Sequence, residues 1–256
     1  MLARRLTLLA LLGSLWGVAG CFIGFDESKL RGPVSVDGGV AGDPGAAPAP
    51  SDAGGSPGAD AGGGGDLGAL GPLCDDFSAY STGDSLPWWN EGKGTWRVVA
   101  SGSSKALGQL DTSMSRHDLF IAWHMGSNAA DATVQATINA PDSGNDNCVL
   151  ARVTDARNFY KLCVHTDRGQ QQNQRPQTVW DLEVMTAGTA TRLSNGSSDG
   201  VSGMHQLALK VQGNTLTPVV DTVAQTGVTD SAHPNGAAGV ATEASGVFTR
   251  VCITPP

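Results

Sequence analysis

The clearest signal in the chain is the alternation of apolar and polar residues in short segments. From Ala132 to Ala140 the two kinds alternate without interruption, as in a strand buried on one face. Further strand-like segments are separated by turn-forming residues; they are LFIAWHM (119–125), NCVLARV (147–153), NFYKLCVH (158–165), TVWDLEVM (178–185), HQLALKVQGNTLTPVVD (205–221) and GVFTRVCI (246–253). Two of them flank a turn near Asp155 and Ala156, which predicts a hairpin. The pattern predicts an all-β domain, either a sandwich or a barrel.

The N-terminus has a different pattern. Arg4 and Arg5 precede an apolar run over residues 6–20, which is shorter than the roughly 20 residues of a membrane-spanning helix. A basic start, a short apolar run and small residues before a cut describe a secretory signal peptide. We therefore expect residues 1–20 to be a signal peptide.

The end of this run, VAGC (18–21), resembles the lipobox of bacterial lipoproteins. The resemblance implies that the thiol of Cys21 carries a diacylglycerol and that its amino group is acylated after cleavage. Several acyl chains anchor a protein stably, whereas one binds only marginally. Phe22 follows the cysteine where an aspartate would favour the inner membrane, so the resemblance implies attachment to the outer membrane.

Residues 21–72 are expected to be a disordered tether. From about residue 32 onward this segment consists mainly of Gly, Ala, Pro, Asp and Ser. Such a composition cannot bury enough apolar surface to offset chain entropy. As a flexible coil the tether reaches on the order of 40 Å.

The remaining residues, 73–256, are enough for one domain with its own core. Several of its segments resemble the concanavalin A-like lectin/glucanase family, in its laminin-G-like and 3-keto-glycoside-hydrolase-like bacterial versions; they are CDDFS (74–78), GTWRV (94–98), VLARVTDARNFYKL (149–162), LALKVQGNTL (207–216) and GVATEASGVFTRVCI (239–253). The resemblance covers most of the domain and rests on the order of the patterns. It implies an antiparallel jelly-roll sandwich of two sheets; another jelly-roll-type sandwich is the alternative.

The domain contains four cysteines, an even number that suggests disulfides in an exported chain. Cys148 and Cys163 lie about equally far from the predicted hairpin turn, so a two-residue loop would set them face to face. The family places the first and last strands side by side, which implies a Cys74–Cys252 disulfide. The wide spacing of these cysteines argues against a metal site.

The segment around Asp181 and Glu183 is a candidate for chemistry. Strand alternation directs Trp180, Leu182 and Val184 to one face and the two carboxylates to the other. Glucanases of the resembling fold carry alternating carboxylates on one strand, but the third carboxylate of their motif is absent here. A retaining glycosidase needs two carboxyl groups about 5 Å apart, one with a raised pKa. Asp181 and Glu183 are thus catalytic candidates, and a solvated strand face is the alternative.

Other polar residues are expected to share a sheet face with these carboxylates if their strands are adjacent; they are Arg152, Lys161, His165, Gln206 and Lys210. A face of mixed charge suits sugar hydroxyls, which donate and accept hydrogen bonds. The alternative is ordinary cross-strand ion pairing. Trp88 and Trp89 are candidates to stack on a sugar ring, whereas Trp96 and Trp123 are expected in the core.

The loop NAPDSGNDN (139–147) is rich in oxygen ligands. Asp142, Asn145 and Asp146 are candidate calcium ligands, although the same residue types form plain turns. No other cofactor is expected.

Two further signals exclude functions. The segment GSSDG (196–200) matches the serine-hydrolase elbow, but it lies in a segment interpreted as a polar loop, RLSNGSSDGVSG (192–203), which precedes a strand and not a helix. The chain has a formal net charge of −8 and no basic stripe, which argues against nucleic acid.

We therefore expect a surface-tethered lipoprotein whose non-catalytic domain binds glycan or another envelope ligand. A glycoside hydrolase and a structural protein that binds a protein partner are the alternatives.

Overall fold

The computed structural model of the chain describes residues 71–111, 119–140, 144–167, 177–198 and 203–256. These residues form β-strands, turns and irregular segments. Within the described ranges there is no helix long and apolar enough to cross a membrane. The strands pair in antiparallel fashion into two sheets.

The first sheet has nine strands in the order β13-β12-β11-β6-β16-β4-β3, with β1 paired to β16 and β14 paired to β12. Its strands are β1 (Leu73–Asp75), β3 (Trp96–Ser101), β4 (Ser104–Gln109), β6 (Ala132–Ala140), β11 (Gly203–Gln212), β12 (Thr215–Val220), β13 (Val223–Ala224), β14 (Val228–Thr229) and β16 (Val247–Thr254). The first and last strands are neighbours, as the family resemblance implies.

The second sheet has seven strands in the order β10-β9-β8-β7-β15-β5-β2. Its strands are β2 (Trp89–Lys93), β5 (Phe120–His124), β7 (Asn147–Asp155), β8 (Asn158–Asp167), β9 (Gln177–Thr186), β10 (Thr189–Ser198) and β15 (Ala237–Thr242). Two antiparallel sheets of this kind confirm the predicted all-β sandwich.

The main core lies between the two sheets. On β9, Trp180, Leu182 and Val184 are buried in it, as the alternation of the sequence predicts. Leu207 and Leu209 on β11 contribute from the other sheet. The side chains at the intervening positions of each strand therefore face away from the core.

A second apolar cluster covers the outer face of the seven-stranded sheet, the face turned away from the nine-stranded sheet. It includes Ile121, Leu150 and Phe159. Trp123, which was expected in the core, packs against this outer cluster and is only partly buried, so it does not lie between the two sheets. Alternation shows that a residue shares a face with its second neighbours, but not which face of the sheet that is.

Both expected disulfides are present. Cys74 faces Cys252 across β1 and β16, and Cys148 faces Cys163 across β7 and β8. The hairpin turn between the second pair lies at residues 156–157, one residue later than predicted. A register shift between Ala151 and Asp155 compensates, because two extra residues on β7 bring the cysteines back into direct opposition.

The segment interpreted as a polar loop is in large part a strand. Residues 192–198 belong to β10, which pairs with β9 along its length. β10 is an edge strand with mostly exposed side chains, so its main-chain hydrogen bonds hold it in place without an apolar face. Its composition therefore resembled a loop. It is still followed by the strand β11, which does not fit a serine-hydrolase elbow.

Candidate functional site

Charged side chains cluster on the outer face of the seven-stranded sheet, at its β8–β9–β10 end. Lys161 on β8 lies directly opposite Glu183 on β9, which lies opposite Arg192 on β10. Asp181 is on the same face of β9, two residues from Glu183. The pairing register of the three strands and the alternation along β9 thus bring these four residues into one patch.

Ion pairs connect the patch. Lys161 Nζ lies 2.8 Å from Glu183 Oε2. Arg192 Nε lies 2.9 Å from Asp181 Oδ1 and 3.8 Å from Glu183 Oε1. Lys161 and the two carboxylates are largely buried, whereas the Arg192 side chain is 57% exposed. Arg192 is therefore the member of the patch that can most readily exchange its partner for a ligand.

Asp146 and His165 extend the patch toward the start of β7. Asp146 Oδ1 is 2.9 Å from His165 Nδ1, and Asp146 Oδ2 is 4.0 Å from Lys161 Nζ. The hydrogen bond from Asp146 raises the pKa of His165, although burial of the ring opposes the shift. The backbone N–H of Asp146 donates to the Glu243 carboxylate at 3.3 Å, which adds a residue from the end of β15. His165 is thereby biased toward its charged form.

The pKa of Asp181 is raised. Burial of its carboxyl is the main cause; Arg192 opposes the shift, while Asp146 and Glu183 add to it. An ionised carboxylate in this position is unfavourable for folding compared with the same group in water. Carboxyl groups with raised pKa values are often found at functional sites. Asp181 is therefore a candidate site residue.

These residues line an open groove of about 550 Å³. We call it the charged groove and define it by Asp146, Lys161, His165, Asp181, Glu183 and Arg192. Leu119 and Met185 supply apolar surface at its margin. Its size lies within the roughly 300–1,000 Å³ of small-molecule sites.

Four of the predicted ligand-binding residues lie together in this groove: Lys161, His165, Asp181 and Glu183. The sequence pattern does not indicate Arg192, because β10 carries no apolar alternation that marks it as a strand. Asp146 was assigned to a different role, as a calcium ligand. That a ligand binds here stays a prediction.

Three predicted members of the face lie elsewhere. Lys210, together with Gln206, is on β11 of the nine-stranded sheet, where it is exposed. Arg152 has a positive φ of 51° at the β7 register shift. Its buried guanidinium donates to the carbonyls of Ala130 and His233, at 2.7 and 2.8 Å. Arg152 thus anchors loops to the sheet, and all three residues are removed from the candidate site.

Trp88 and Trp89 lie outside the charged groove, beside a smaller pocket at another edge of the domain. Trp88 is 64% exposed. Trp89 is buried and belongs to the core between the sheets, as does Trp96, whose core assignment is confirmed. Only Trp88 therefore presents substantial free aromatic surface.

The proposed calcium ligands do not form a complete set among the described residues. Asp142 lies outside those residues, and the Asn145 carbonyl accepts a hydrogen bond from the Asn147 side chain at 3.2 Å. The Asp146 carboxylate is already engaged by His165 and Lys161. The nearby sulfur atoms of Cys148 and Cys163 lie within 4.8 Å of it, but they form a disulfide and are not thiolates. Calcium binding stays a prediction that the geometry at Asp146 does not favour.

Comparison with known proteins supports the fold. No protein-family model matches the chain, and no curated protein matches it. Among solved structures, the carbohydrate-binding module CBM66 from Bacillus subtilis superposes with a TM-score of 0.53 at 16% identity, covering 66% of this chain and 97% of that one. The domain therefore has the jelly-roll fold of a carbohydrate-binding module.

Two glycosidases superpose less well. The β-glucanase from Bacillus licheniformis has a TM-score of 0.47 at 15% identity and covers 73% of this chain and 99% of that one. The family 16 endo-glucanase from Bacteroides ovatus has a TM-score of 0.46 at 12% identity, with coverage of 71% and 99%.

Proposed function

We propose that this domain is a non-catalytic, lectin-like module that binds a neutral carbohydrate in the charged groove. The observation that carries the proposal is the groove itself, in which carboxylates and cations alternate across three adjacent strands. Sugar hydroxyls both donate and accept hydrogen bonds. A carboxylate and a neighbouring guanidinium can therefore bind adjacent hydroxyls of one ring.

The charges of the groove favour a neutral sugar over an anionic one. Asp146, Asp181, Glu183 and Glu243 supply four carboxylates, against the two permanent cations Lys161 and Arg192. Even with His165 protonated, the acidic groups exceed the basic ones. A uronate or sulfated sugar would add negative charge to this surplus, which electrostatic repulsion opposes.

The ion pairs also favour binding over hydrolysis. A general acid must hold a proton and be free to deliver it to the leaving group. Asp181 forms an ion pair with Arg192, and Glu183 forms one with Lys161. Each carboxylate thus already has a cationic partner in the groove, so neither is free to deliver a proton to a leaving group.

We further propose that the module is presented by a lipid-anchored tether. Cys21 would carry the lipid, residues 21–72 would form the flexible spacer, and the site of attachment would be the outer membrane. The sequence pattern of residues 18–21 supports this assignment. Mass spectrometry of the membrane form tests it: the expected mature protein begins at Cys21 with attached acyl groups, and an unmodified Cys21 would contradict it.

A glycan array probed with the purified protein tests the binding function. We expect retention on neutral saccharides and weaker retention on uronate-bearing ones. Arg192→Ala removes an exposed cation from the groove, and we expect it to lower affinity by about tenfold, the effect of losing a charge-assisted hydrogen bond. Lys210→Ala is the matched control, because it removes an exposed cation from the other sheet and should bind like the wild type.

The array has two outcomes against the proposal. Retention on no saccharide would refute it and would favour the structural protein with a protein partner. Equal losses in the Arg192→Ala and Lys210→Ala variants would place any binding outside the charged groove.

A retaining glycosidase is the second candidate, because one observation favours it. Asp181 has a raised pKa and lies on the same face of β9 as Glu183, two residues away. A raised pKa in one carboxyl of a pair is one of the features that acid catalysis by two carboxyl groups requires. Incubation with β-glucans and measurement of new reducing ends tests it: release that Glu183→Gln abolishes would establish catalysis, and no release would exclude it for these substrates.

A further inference from the structure

A second pocket lies where β1 and β16 of one sheet approach β2 and β5 of the other. It has a volume of about 120 Å³ and shares no lining residue with the charged groove. Four of its lining residues carry rings: Tyr80, Trp88, Trp89 and His124. Trp89 meets His124 edge to face, with their centroids 5.9 Å apart. We call it the aromatic pocket.

One carboxylate, that of Asp75, lies in the aromatic pocket. Asp75 Oδ1 accepts a hydrogen bond from the backbone N–H of Phe77 at 2.7 Å, and the Tyr80 hydroxyl is hydrogen-bonded to the same carboxyl. These contacts fix the carboxylate beside the rings.

Among the described residues, no lysine or arginine lines the aromatic pocket beside Asp75. Burial raises its pKa, and the neighbouring Asp76 adds a second negative charge. His124 is the ring in the pocket that can take up a positive charge, but burial lowers its pKa and so favours its neutral form, while Asp75 opposes the shift. The aromatic pocket therefore combines ring systems with a carboxyl group that no lysine or arginine of the described lining pairs, and a bound cation would interact favourably with both.

The remaining walls decide which kind of cation fits. Leu73, Val251 and Ile253 are apolar and offer no side-chain acceptors. A primary ammonium group needs several hydrogen-bond acceptors to replace its water, whereas a quaternary ammonium group donates no hydrogen bonds and presents methyl groups to apolar walls. The volume is also below the roughly 300 Å³ of the smallest ligand sites, so the pocket suits a head group and not a whole sugar chain.

We propose that the aromatic pocket binds a quaternary ammonium head group, with the methyl groups against Trp88, Trp89 and Tyr80 and the positive charge facing Asp75. The ligand is either a free choline-like molecule or the trimethylammonium head group of a lipid. Trp88 has the exposed ring, so it forms the outer wall of the site. This site is independent of the carbohydrate groove.

Calorimetric titration of the purified protein with choline tests the proposal. The control ligand is 3,3-dimethyl-1-butanol, which has the same shape without the charge. We expect choline to bind between about threefold and thirtyfold more tightly than this alcohol, the range of a cation–π contribution. Parallel sedimentation with phosphatidylcholine and phosphatidylglycerol vesicles distinguishes the sources, because only a lipid-borne ligand predicts retention on phosphatidylcholine.

Two variants locate the site. Trp88→Ala should weaken choline binding by about threefold or more, and Asp75→Asn should bring choline and the neutral alcohol to similar affinities while keeping the acceptor for the Phe77 N–H. Met204→Ala is the matched control, because Met204 is likewise an exposed apolar side chain, at 55% exposure, outside the pocket. Thermal unfolding of each variant verifies that it folds.

The proposal is overturned if choline does not bind, if the neutral alcohol binds equally well to the wild type, or if Trp88→Ala has no effect. A saccharide that competes for the pocket in place of choline would also overturn it. None of these outcomes affects the glycan-array test, because the two sites have no residue in common.

Discussion

The Lys161–Glu183 ion pair lies at the centre of the charged groove, and its removal has an effect that can be worked out from the geometry. The two side chains are only 9% and 14% exposed, with their charged atoms 2.8 Å apart. Lys161→Met removes the charge and keeps a side chain of similar length. Glu183→Gln removes the opposite charge and keeps the shape. The double variant removes both.

The magnitudes follow from the distances and the burial. At an effective dielectric constant of about 20, the attraction between Lys161 and Glu183 is about 6 kcal/mol, and that between Lys161 and Asp146 at 4.0 Å is about 4 kcal/mol. Desolvation offsets most of both, so breaking a buried pair costs about 3–5 kcal/mol. We expect about 3 kcal/mol for Lys161→Met, because the surrounding carboxylates then repel one another.

Glu183→Gln should destabilise less, by about 1 kcal/mol. It relieves the surplus of carboxylates in the groove and leaves Lys161 beside Asp146. The double variant should lose about 2 kcal/mol, which is less than the sum of the single losses by a coupling of about 2 kcal/mol.

Urea unfolding at neutral pH and low salt measures these values, with the slope of each transition used to verify a common unfolding process. Two results would refute the reasoning. One is additivity of the two single variants to within about 0.5 kcal/mol. The other is a larger loss for Glu183→Gln than for Lys161→Met.

Three further predictions concern neighbouring features. Asp146→Asn should lower the pKa of His165, which NMR titration measures. In the wild type the interaction that raises this pKa stabilises the fold fully at pH values below the ordinary pKa of 6.5. This stabilisation is lost as the pH rises through the raised pKa. Replacing Cys74 and Cys252 by serine should cost about 5 kcal/mol by the chain-entropy model, against about 3 kcal/mol for the other disulfide, because the sequence separations are 178 and 15 residues; equal losses in calorimetry would contradict the model. Gly239→Ala should lower the melting temperature sharply, because its Cβ would lie 2.3 Å from a backbone oxygen of β5, and a melting temperature like the wild type's would show that the sheet adapts.

The alternation of apolar and polar residues was sufficient to predict the faces of strands such as β6 and β9. The prediction succeeded because each of these strands has one face in the core, so every second residue is apolar. It failed for β10, which lies at a sheet edge with mostly exposed side chains. For this reason the sequence did not indicate Arg192, which forms an ion pair with Asp181 in the groove.

Alternation also cannot assign a strand to a sheet. Lys210 and Lys161 both occupy outward positions, but one is on β11 and the other on β8, in different sheets. Arg152 departs from the pattern because the register shift on β7 turns it out of the strand's regular alternation. A bulge depends on contacts with other segments, here the carbonyls of Ala130 and His233, which are remote in the sequence.

The central claim is that a neutral saccharide binds on the outer face of β8, β9 and β10. NMR chemical-shift mapping tests it most directly, using the saccharide that the purified protein retains most strongly on the glycan array. We expect the largest shifts at Lys161, Asp181, Glu183 and Arg192. Shifts centred on Lys210 and the outer face of β11, or the absence of any retained saccharide, would contradict it.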